Sequence, residues 1–319
     1  MDSRPKQAIG GYFELELPHH QEYHADALAF NSGRFCLEFL LSLRNYSKIY
    51  VPYFTCDTVV DSIDKLDVAY EFYHIDKLYR MVEDIVLSEG EALIYTNYWG
   101  LQDGYCRELA NKYGRQLILD YTQSFYSRPI DGIDTFYSCR KFFGVPDGGY
   151  LYTDASVDML SEQDVSYTRV ESLVKRIDLS AEEGYADFRR VSESLKHMPV
   201  CRMSNFTKRM MAGIDYDDVA HRRRSNYEIL RQRLGGRVLE DAEVPMIFPY
   251  ISKNGKELRA RFIENRIFVA KYWPNVEEWV HKGSIEVWIS ENVIPLPIDQ
   301  RYSEAEMNEI LRVIDEYDR

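Results

Sequence analysis

The chain has 319 residues, of which 45% are hydrophobic and 29% are charged, and its formal net charge is -13. This length and composition are typical of a globular protein that buries a substantial core. The acidic balance argues against non-specific binding to nucleic acid or to anionic membranes, because both attract basic surfaces. The basic triplet at residues 222–224 lies among acidic residues and is predicted to be a solvated helix face.

The cysteines and the hydropathy pattern indicate in which cellular compartment the protein is found. Five cysteines, an odd number without a CxxC pair, are typical of buried free thiols in a reducing cytoplasm. Residues 1–6 contain no apolar stretch of signal-peptide type, and the longest apolar run, residues 37–43, is too short to span a bilayer. We therefore expect a cytoplasmic protein, and we predict no metal site. The cysteines are Cys36, Cys56, Cys106, Cys139 and Cys201.

Residues 28–150 alternate between short apolar segments and helix-like segments. A helix is predicted at 35–43, and strands are predicted at 48–51, 92–96, 116–120 and 135–138. This alternation is typical of βαβ units and of a mostly parallel sheet. Ligands of such sheets bind at the carboxyl ends of the strands, where Asn97, Asp120 and Ser138 lie.

Residues 157–319 are predicted to form a helical connection followed by a second region. Residues 157–198 contain few turn signals and keep helical spacing of their apolar residues. From about residue 215 we predict a helix through residue 233, strands at 244–251 and 267–270, and a closing helix. Ser303 and Glu306 form a capping box at the start of that last helix. The pattern predicts a large domain, residues 1–213, and a smaller α+β domain, residues 214–319.

Lys141 and Asp120 are the candidate catalytic residues. Alone, each has a plainer interpretation, since such a lysine is usually a surface side chain and such an aspartate a helix cap. As a pair they match the needs of pyridoxal phosphate (PLP): an amine for its aldehyde and an acid for its pyridine nitrogen. A lysine attacks a carbonyl as the neutral amine, a form that nearby positive charge and desolvation favour. Arg140, Phe142 and Phe143 are expected to provide both.

With these residues, the chain resembles the PLP-dependent nucleotide-sugar aminotransferases of the DegT/StrS family. The resemblance covers most of the chain and implies the type I fold of aspartate aminotransferase, with a mostly parallel seven-stranded sheet flanked by helices. Its most specific part is Asp120 and Gln123, followed by Lys141 and then the acidic-Gly-Gly of residues 147–149. Supporting segments lie at residues 31–37, 51–55, 96–100, 202–206 and 296–299.

The resemblance also implies roles for the site residues. Lys141 would be the Schiff-base lysine, Asp120 would bind the pyridine nitrogen, and Gln123 would contact the ring hydroxyl. The turn that opens the first helix would bind the phosphate, because helix N-termini suit anions. The implied cofactor-binding residues are Gly33, Arg34, Phe35, Asp120, Gln123, Ser138 and Lys141.

The sequence departs from the family at three positions. Phe136 stands where the family has a phosphate-binding serine, and Ser138, two residues later on the same strand face, is the predicted replacement. Cys56 stands where the family has an aromatic residue that stacks on the cofactor, and Val200 where it has an asparagine donated across the dimer. The alternatives for the stacking ring are Tyr53, Phe54 and Tyr98.

The function implied is transfer of an amino group from an amino acid, with glutamate as the expected donor, to a keto group of a nucleotide-linked sugar. The usual setting is polysaccharide or glycoconjugate synthesis, by a homodimer. Two alternatives stay open. A sugar dehydratase of the same fold is expected to carry histidine in place of the lysine, whereas Lys141 is present here. A degenerate member would bind PLP or a sugar nucleotide without transaminase activity.

Overall fold

The structure, a computed structural model, describes residues 9–156 and 162–317. Two parts of the sequence analysis lie outside these residues: the segment 1–6, and residues 157–161 at the start of the predicted helical connection. Within the described ranges, no helix combines the length and the apolar character that crossing a bilayer requires.

A seven-stranded sheet forms the centre of the molecule. Its order is β1-β7-β6-β5-β4-β2-β3, and every neighbouring pair is parallel except the two that involve β7. The mostly parallel seven-stranded sheet is therefore confirmed. The strands are β1 (Leu28–Phe30), β2 (Lys48–Pro52), β3 (Ala69–Tyr73), β4 (Glu91–Thr96), β5 (Leu117–Asp120), β6 (Asp134–Ser138) and β7 (Gly149–Tyr152).

The four predicted strands correspond to β2, β4, β5 and β6. Each is apolar and mostly buried, which gave it a clear signal. The sequence analysis missed the other three strands. β1 has only three residues, β3 is half exposed at the edge of the sheet, and β7 begins with a glycine, so none carries a strong strand pattern.

Helices cover both faces of the sheet because strand side chains alternate between two hydrophobic clusters. Along β4, Ala92 and Ile94 belong to the cluster under the first helix, whereas Leu93 and Tyr95 belong to the cluster on the opposite face. The same alternation puts Ile118 and Phe136 on the side of the first helix. The helices of this part are α1 (Gly33–Arg44), α2 (Asp57–Asp64), α3 (Asp103–Tyr113), α4 (Glu171–Asp178), α5 (Ala181–Ser194) and α6 (Asn205–Ala212).

The helical connection is an antiparallel hairpin of α4 and α5 and is not one continuous helix. Leu179 and Ser180 separate the two helices, and Ser180 begins α5 by accepting a hydrogen bond from the amide of Glu183 at 3.2 Å. The hairpin is tight, since a Cβ on Gly184 would lie 2.8 Å from the carbonyl oxygen of Ser172. A side chain at position 184 would therefore push the two helices apart.

The C-terminal region contains a small antiparallel sheet with helices around it. The predicted helix to residue 233 and the closing helix are present, and Ser303 N donates to Glu306 Oε2 at 2.7 Å as the capping box requires. Its elements are α7 (Tyr216–Leu234), β8 (Phe248–Ile251), α8 (Gly255–Glu264), α9 (Val276–Trp279), α10 (Ile285–Asn292), β9 (Val293–Leu296) and α11 (Glu304–Tyr317).

The predicted strand at residues 267–270 is wrong. β8 pairs with β9, a segment that the sequence analysis did not interpret as a strand, and residues 267–270 are irregular. The amide of Ile267 donates to the carbonyl of Phe262 at 2.8 Å, so it ends α8 and joins no strand ladder. The apolar run had the composition of a strand but no partner strand.

The C-terminal region shares a hydrophobic core with the sheet. One cluster of buried side chains includes Leu119 of β5 together with Leu296 of β9 and Ile314 of α11. The prediction that residues 222–224 form a solvated helix face is wrong for Arg223 of α7, which is 1% exposed and donates to the carbonyl oxygens of Phe142 at 3.1 Å and of Met246 at 3.0 Å. These contacts hold the C-terminal region against the loop that follows β6.

Candidate active site

A cavity of about 340 Å³ opens at the carboxyl ends of β5 and β6, beside the N-terminus of α1. This is the edge of the sheet at which a parallel fold places its ligands. Six of the seven residues predicted to bind the cofactor line the cavity, and the seventh, Phe35, is a fully buried residue of α1 and does not. The six are Gly33, Arg34, Asp120, Gln123, Ser138 and Lys141.

The N-terminus of α1 forms one wall. Ser32 is its N-cap and accepts a hydrogen bond from the amide of Phe35 at 3.4 Å. Gly33 lies so close to the end of β6 that a Cβ would come within 3.2 Å of the Ser138 Cβ. The Arg34 guanidinium donates to Thr58 Oγ1 at 3.0 Å. An anion at this end of α1 would meet backbone amides, a hydroxyl and a guanidinium.

The acidic-Gly-Gly segment, residues 147–149, packs against the N-terminus of α1. Gly148 has φ +106°, a conformation that favours glycine, and a Cβ on Gly149 would lie 2.5 Å from the carbonyl carbon of Ser32 and the amide nitrogen of Gly33. Asp147 points away from the cavity and binds Arg169 and the hydroxyl of Thr207. The segment therefore acts through its backbone, because its glycines let β7 approach the start of α1.

Replacing Gly149 by alanine is expected to lower the free energy of unfolding by about 3 kcal/mol, because the new methyl group must displace the backbone of α1. The same displacement should weaken PLP binding. Gly144→Ala is the matched control, since a Cβ there meets nothing within 4 Å. Urea denaturation and a PLP titration measure both effects. Equal stability of the two variants would contradict this account.

Asp120 lies at the floor of the cavity and is 4% exposed. Its Oδ1 accepts a hydrogen bond from the amide of Thr122 at 2.8 Å, and Oδ2 lies 3.4 Å from Thr96 Oγ1. Burial raises the pKa of the Asp120 carboxyl, and the opposing effects of Thr122 and of the charge on Lys141 do not cancel it. A buried carboxylate with so few hydrogen-bond donors is stabilised when a cationic ligand binds beside it.

Gln123 carries an unpaired buried donor. Its Oε1 accepts a hydrogen bond from the amide of Trp99 at 2.9 Å, which fixes the orientation of the side-chain amide. Its Nε2 is buried without a hydrogen-bond partner among the described residues. Buried polar atoms are nearly always paired in proteins, so an orphan donor on a cavity wall indicates a ligand with an acceptor oxygen.

Lys141 is exposed at the mouth of the cavity, in the turn after β6. Its Nζ lies 5.5 Å from the centre of the Tyr272 ring. The expectation that Phe142 and Phe143 desolvate it is wrong, because both rings are buried and pack against Phe125 on the other side of the turn. Consecutive side chains of this turn therefore lie on different sides, Lys141 at the cavity and Phe142 and Phe143 in the core.

Trp273 is one of three aromatic residues that line the cavity, together with Phe136 and Phe188. The three residues that the sequence offered for the stacking ring do not line the cavity. Tyr53 stacks on Phe72, and Phe54 and Tyr98 are buried in the core. Trp273 packs against Phe54 with 4.9 Å between ring centres. Its loop is held by Asn275, which donates to the carbonyl of Thr55 at 3.0 Å. Cys56 also lines the cavity, and burial raises the pKa of its thiol.

The structure also places Phe136 and Val200, the other two residues at which the sequence departs from the family. Phe136 and Ser138 both line the cavity, as residues on the same strand face should, and Phe136 is 2% exposed. Val200 packs into the cluster beneath α1 and does not line the cavity. Asn97 is buried, and its side chain binds Asp103 and Ser127, so it is part of the core.

The sequence analysis missed several cavity residues. Arg140 was considered only as a neighbour of Lys141, and nothing singled out the others. Trp273 lies 132 residues after Lys141, in an irregular loop without a motif. The α5 end of the hairpin also contributes side chains. The missed residues on the cavity wall include Thr58, Arg140, Phe188, Ser192, Lys196 and Trp273.

No model of a known protein family matches the chain, and no curated protein sequence matches it. Solved structures do match it. The sugar aminotransferase CalS13 from Micromonospora echinospora is 13% identical with a TM-score of 0.60, and the match covers 92% of this chain and 87% of that chain. A DegT DnrJ EryC1 StrS aminotransferase from Brucella abortus is 15% identical with a TM-score of 0.57, covering 91% and 85%. NtdA from Bacillus subtilis, with bound cofactor PMP, is 12% identical with a TM-score of 0.61, covering 91% and 73%. The chain therefore has the fold of these aminotransferases, which confirms the predicted type I fold.

Proposed function

We propose that the protein is a PLP-dependent aminotransferase of the DegT/StrS family that moves an amino group from an amino acid, with glutamate as the expected donor, to a keto group of a nucleotide-linked sugar. The observation that carries the proposal is one cavity lined by Lys141, Asp120 and Gln123. The fold neighbours support it, since one is a sugar aminotransferase and another has PMP, the amino form of PLP, bound.

The residues around the cavity fit PLP. The orphan Nε2 of Gln123 would donate to the ring hydroxyl, and the buried carboxylate of Asp120 would bind the protonated pyridine nitrogen. The start of α1, with Ser138 beside Gly33, would take the phosphate. Trp273 is the aromatic side chain that would contact the ring. When bound, PLP supplies an electron-withdrawing ring that stabilises negative charge at the α-carbon of the amino acid.

Lys141 and Asp120 would divide the chemical work. The Nζ of Lys141 would bind the aldehyde carbon and, once displaced by the amine of the donor, would be free to move a proton at the donor's α-carbon. Its position at the cavity mouth leaves it exposed, so the amine is accessible to an incoming amino acid. Asp120 would hold a proton on the pyridine nitrogen, because its negative charge in a buried site favours a cationic partner.

A second candidate function is weak binding of PLP or a sugar nucleotide without turnover. It is motivated by Phe136 and Val200, which replace polar residues of the family, and by Cys56, which replaces its stacking ring. Ser138 and Trp273 offer a hydroxyl and a ring on the same cavity, and this favours the aminotransferase. Dehydration of a sugar is disfavoured by the presence of Lys141.

The deciding experiment is a visible absorption spectrum of the purified protein with added PLP, before and after addition of glutamate. An aminotransferase should show a band from lysine-bound cofactor that glutamate removes, and release of 2-oxoglutarate should match the loss of the band. A stable band that no amino acid removes would support the degenerate binding protein. Absence of a band at saturating PLP would contradict the proposal.

We also propose the setting of the enzyme. It would work as a homodimer of chains that each comprise a PLP-binding domain, residues 1–213, and a smaller domain, residues 214–319. Tyr12, Phe13 and Leu15 lie on an irregular segment and are exposed, and exposed apolar side chains of this kind often mark a protein interface. Five free cysteines support a reducing cytoplasm. Polysaccharide or glycoconjugate synthesis is the proposed pathway class.

A further inference from the structure

The cavity has a second cationic wall, formed by the turn after β6 and the end of α5. Arg140 contributes to it from the turn after β6, and Ser192 and Lys196 contribute from α5 and the turn that follows it. Together with Arg34 and Lys141, four cationic side chains line the cavity, whereas Asp120 is the one carboxylate among its lining residues. Arg34 pairs with Asp61 at 3.7 Å and Lys196 with Glu193 at 3.2 Å, so Arg140 and Lys141 are the two lining cations without an ion pair among the described residues.

Arg140 is a half-buried cation without a carboxylate partner. Its guanidinium donates to Ser192 Oγ at 3.0 Å and lies 5.2 Å from the centre of the Phe188 ring. Among the described residues no carboxylate lies within 4 Å of it, and burial lowers the pKa of Arg140. Desolvating a cation costs free energy unless an anion compensates it, so an anion in the cavity would remove this cost.

Lys196 extends the same wall. Its Nζ lies 3.2 Å from Glu193, an exposed partner on the preceding turn of α5 that can be exchanged for a ligand at small cost. Between Arg140 and Lys196 lie Ser192, whose hydroxyl donates to the carbonyl of Phe188 at 2.9 Å while accepting from Arg140, and Phe188, an apolar ring that is 46% exposed. Two cations beside a partly exposed aromatic ring are groups that bind a phosphorylated aromatic ligand.

The wall is held rigidly. Gly184 lets α5 pack tightly on Ser172 of α4, and Asp187 of α5 accepts a hydrogen bond from Lys175 of α4 at 2.7 Å. Leu195 is 6% exposed and anchors the end of α5 in the core. The cationic side chains therefore project from a fixed element, as a preorganised binding site requires.

We propose that Arg140, held in place by Ser192, and Lys196 form an oxyanion subsite for the substrate, separate from the place of the cofactor's phosphate, and that its ligand is the diphosphate of the nucleotide-linked sugar with the base beside the exposed part of Phe188. The subsite rests on the proposed function for the identity of the sugar nucleotide, but its affinity for an oxyanion is a property of these side chains alone.

The test is calorimetric titration of the protein, with PLP in excess, using inorganic pyrophosphate and, separately, glutarate as a dicarboxylate probe. The variants are Arg140→Gln and Lys196→Gln. Arg189→Gln is the matched control, because Arg189 is an exposed arginine of α5 that does not line the cavity. Circular dichroism checks folding, and Lys196→Gln keeps the test informative if Arg140→Gln fails to fold.

We expect Arg140→Gln and Lys196→Gln each to weaken pyrophosphate binding about tenfold or more. The affinity of both variants for PLP, and the affinity of Arg189→Gln for pyrophosphate, should stay within about twofold of the wild-type values. A loss confined to glutarate would still support the oxyanion subsite and would assign it to the carboxylate of the amino-acid donor. Unchanged binding of both probes, or a loss of PLP affinity in its place, would overturn the inference. Failure of the proposed function is a separate result, read from the wild-type PLP spectrum.

Discussion

Replacing Lys141 by alanine is expected to reduce aminotransferase turnover by about 10³-fold or more and to remove the visible band that PLP forms with the protein. Both roles proposed for the residue, binding the aldehyde and moving a proton, need its Nζ, and proton transfer alone contributes about 10² to 10⁴-fold. The measurements are the rate of 2-oxoglutarate release from glutamate and the absorption spectrum with PLP.

Loss of folding would not explain such a result. Lys141 is exposed, and the ring of Tyr272 at 5.5 Å is its nearest aromatic contact, so its truncation should change the free energy of unfolding by no more than about 0.5 kcal/mol. Lys256→Ala, at an exposed lysine of the C-terminal region, is the matched control and should retain activity and spectrum. Undiminished turnover in Lys141→Ala would exclude the assignment.

Replacing Asp120 by asparagine is expected to have two effects of opposite sign. Activity should fall by about a hundredfold or more, because the amide carries no negative charge to keep the pyridine nitrogen protonated. Stability of the cofactor-free protein at neutral pH should rise, because the amide can still accept from Thr122 but carries no buried charge. A gain of about 1 kcal/mol would raise Tm by roughly 1 to 3 °C in a chain of this size.

The direction of the pKa shift of Asp120 determines how the difference in stability between the wild type and Asp120→Asn should change with pH. Burial raises the pKa of Asp120 above its ordinary 3.8, so the folded state binds this proton more tightly than the unfolded state. Stability conferred by protonation is therefore present below pH 3.8 and is lost as pH rises through the folded pKa. Tm measured against pH should show the variant gaining on the wild type as pH rises. The exposed Asp131→Asn should show no such divergence, and a variant less stable than wild type at pH 7 would contradict the argument.

The sequence predicted those parts of the molecule that have a local signature. Buried strands such as β4 and β5 carry continuous apolar runs, and the lysine with its aspartate and glutamine has a recognisable spacing. Ser138 could be placed because strand side chains alternate strictly from face to face. β1 and β3 could not be predicted, since a three-residue strand and an edge strand depend on their neighbours for stability.

The parts of the site that could not be predicted depend on contacts distant in sequence. Trp273 reaches the cavity because Asn275 binds the carbonyl of Thr55, which lies 220 residues away. Lys196 reaches it because α5 folds back on α4. Phe142 and Phe143 show the converse, since residues adjacent to Lys141 in sequence point into the core. Adjacency in the chain predicts surroundings poorly in a tight turn.

The hydrophobic cluster that continues from β5 into β9 and α11 has a consequence for how the protein loses its structure. Because Leu119, Leu296 and Ile314 lie in one buried cluster, the C-terminal region and the central sheet cannot separate without exposing apolar surface on both. The two regions are therefore expected to melt in a single cooperative transition. A chain ending at residue 213 would leave one face of the sheet open to water and would aggregate.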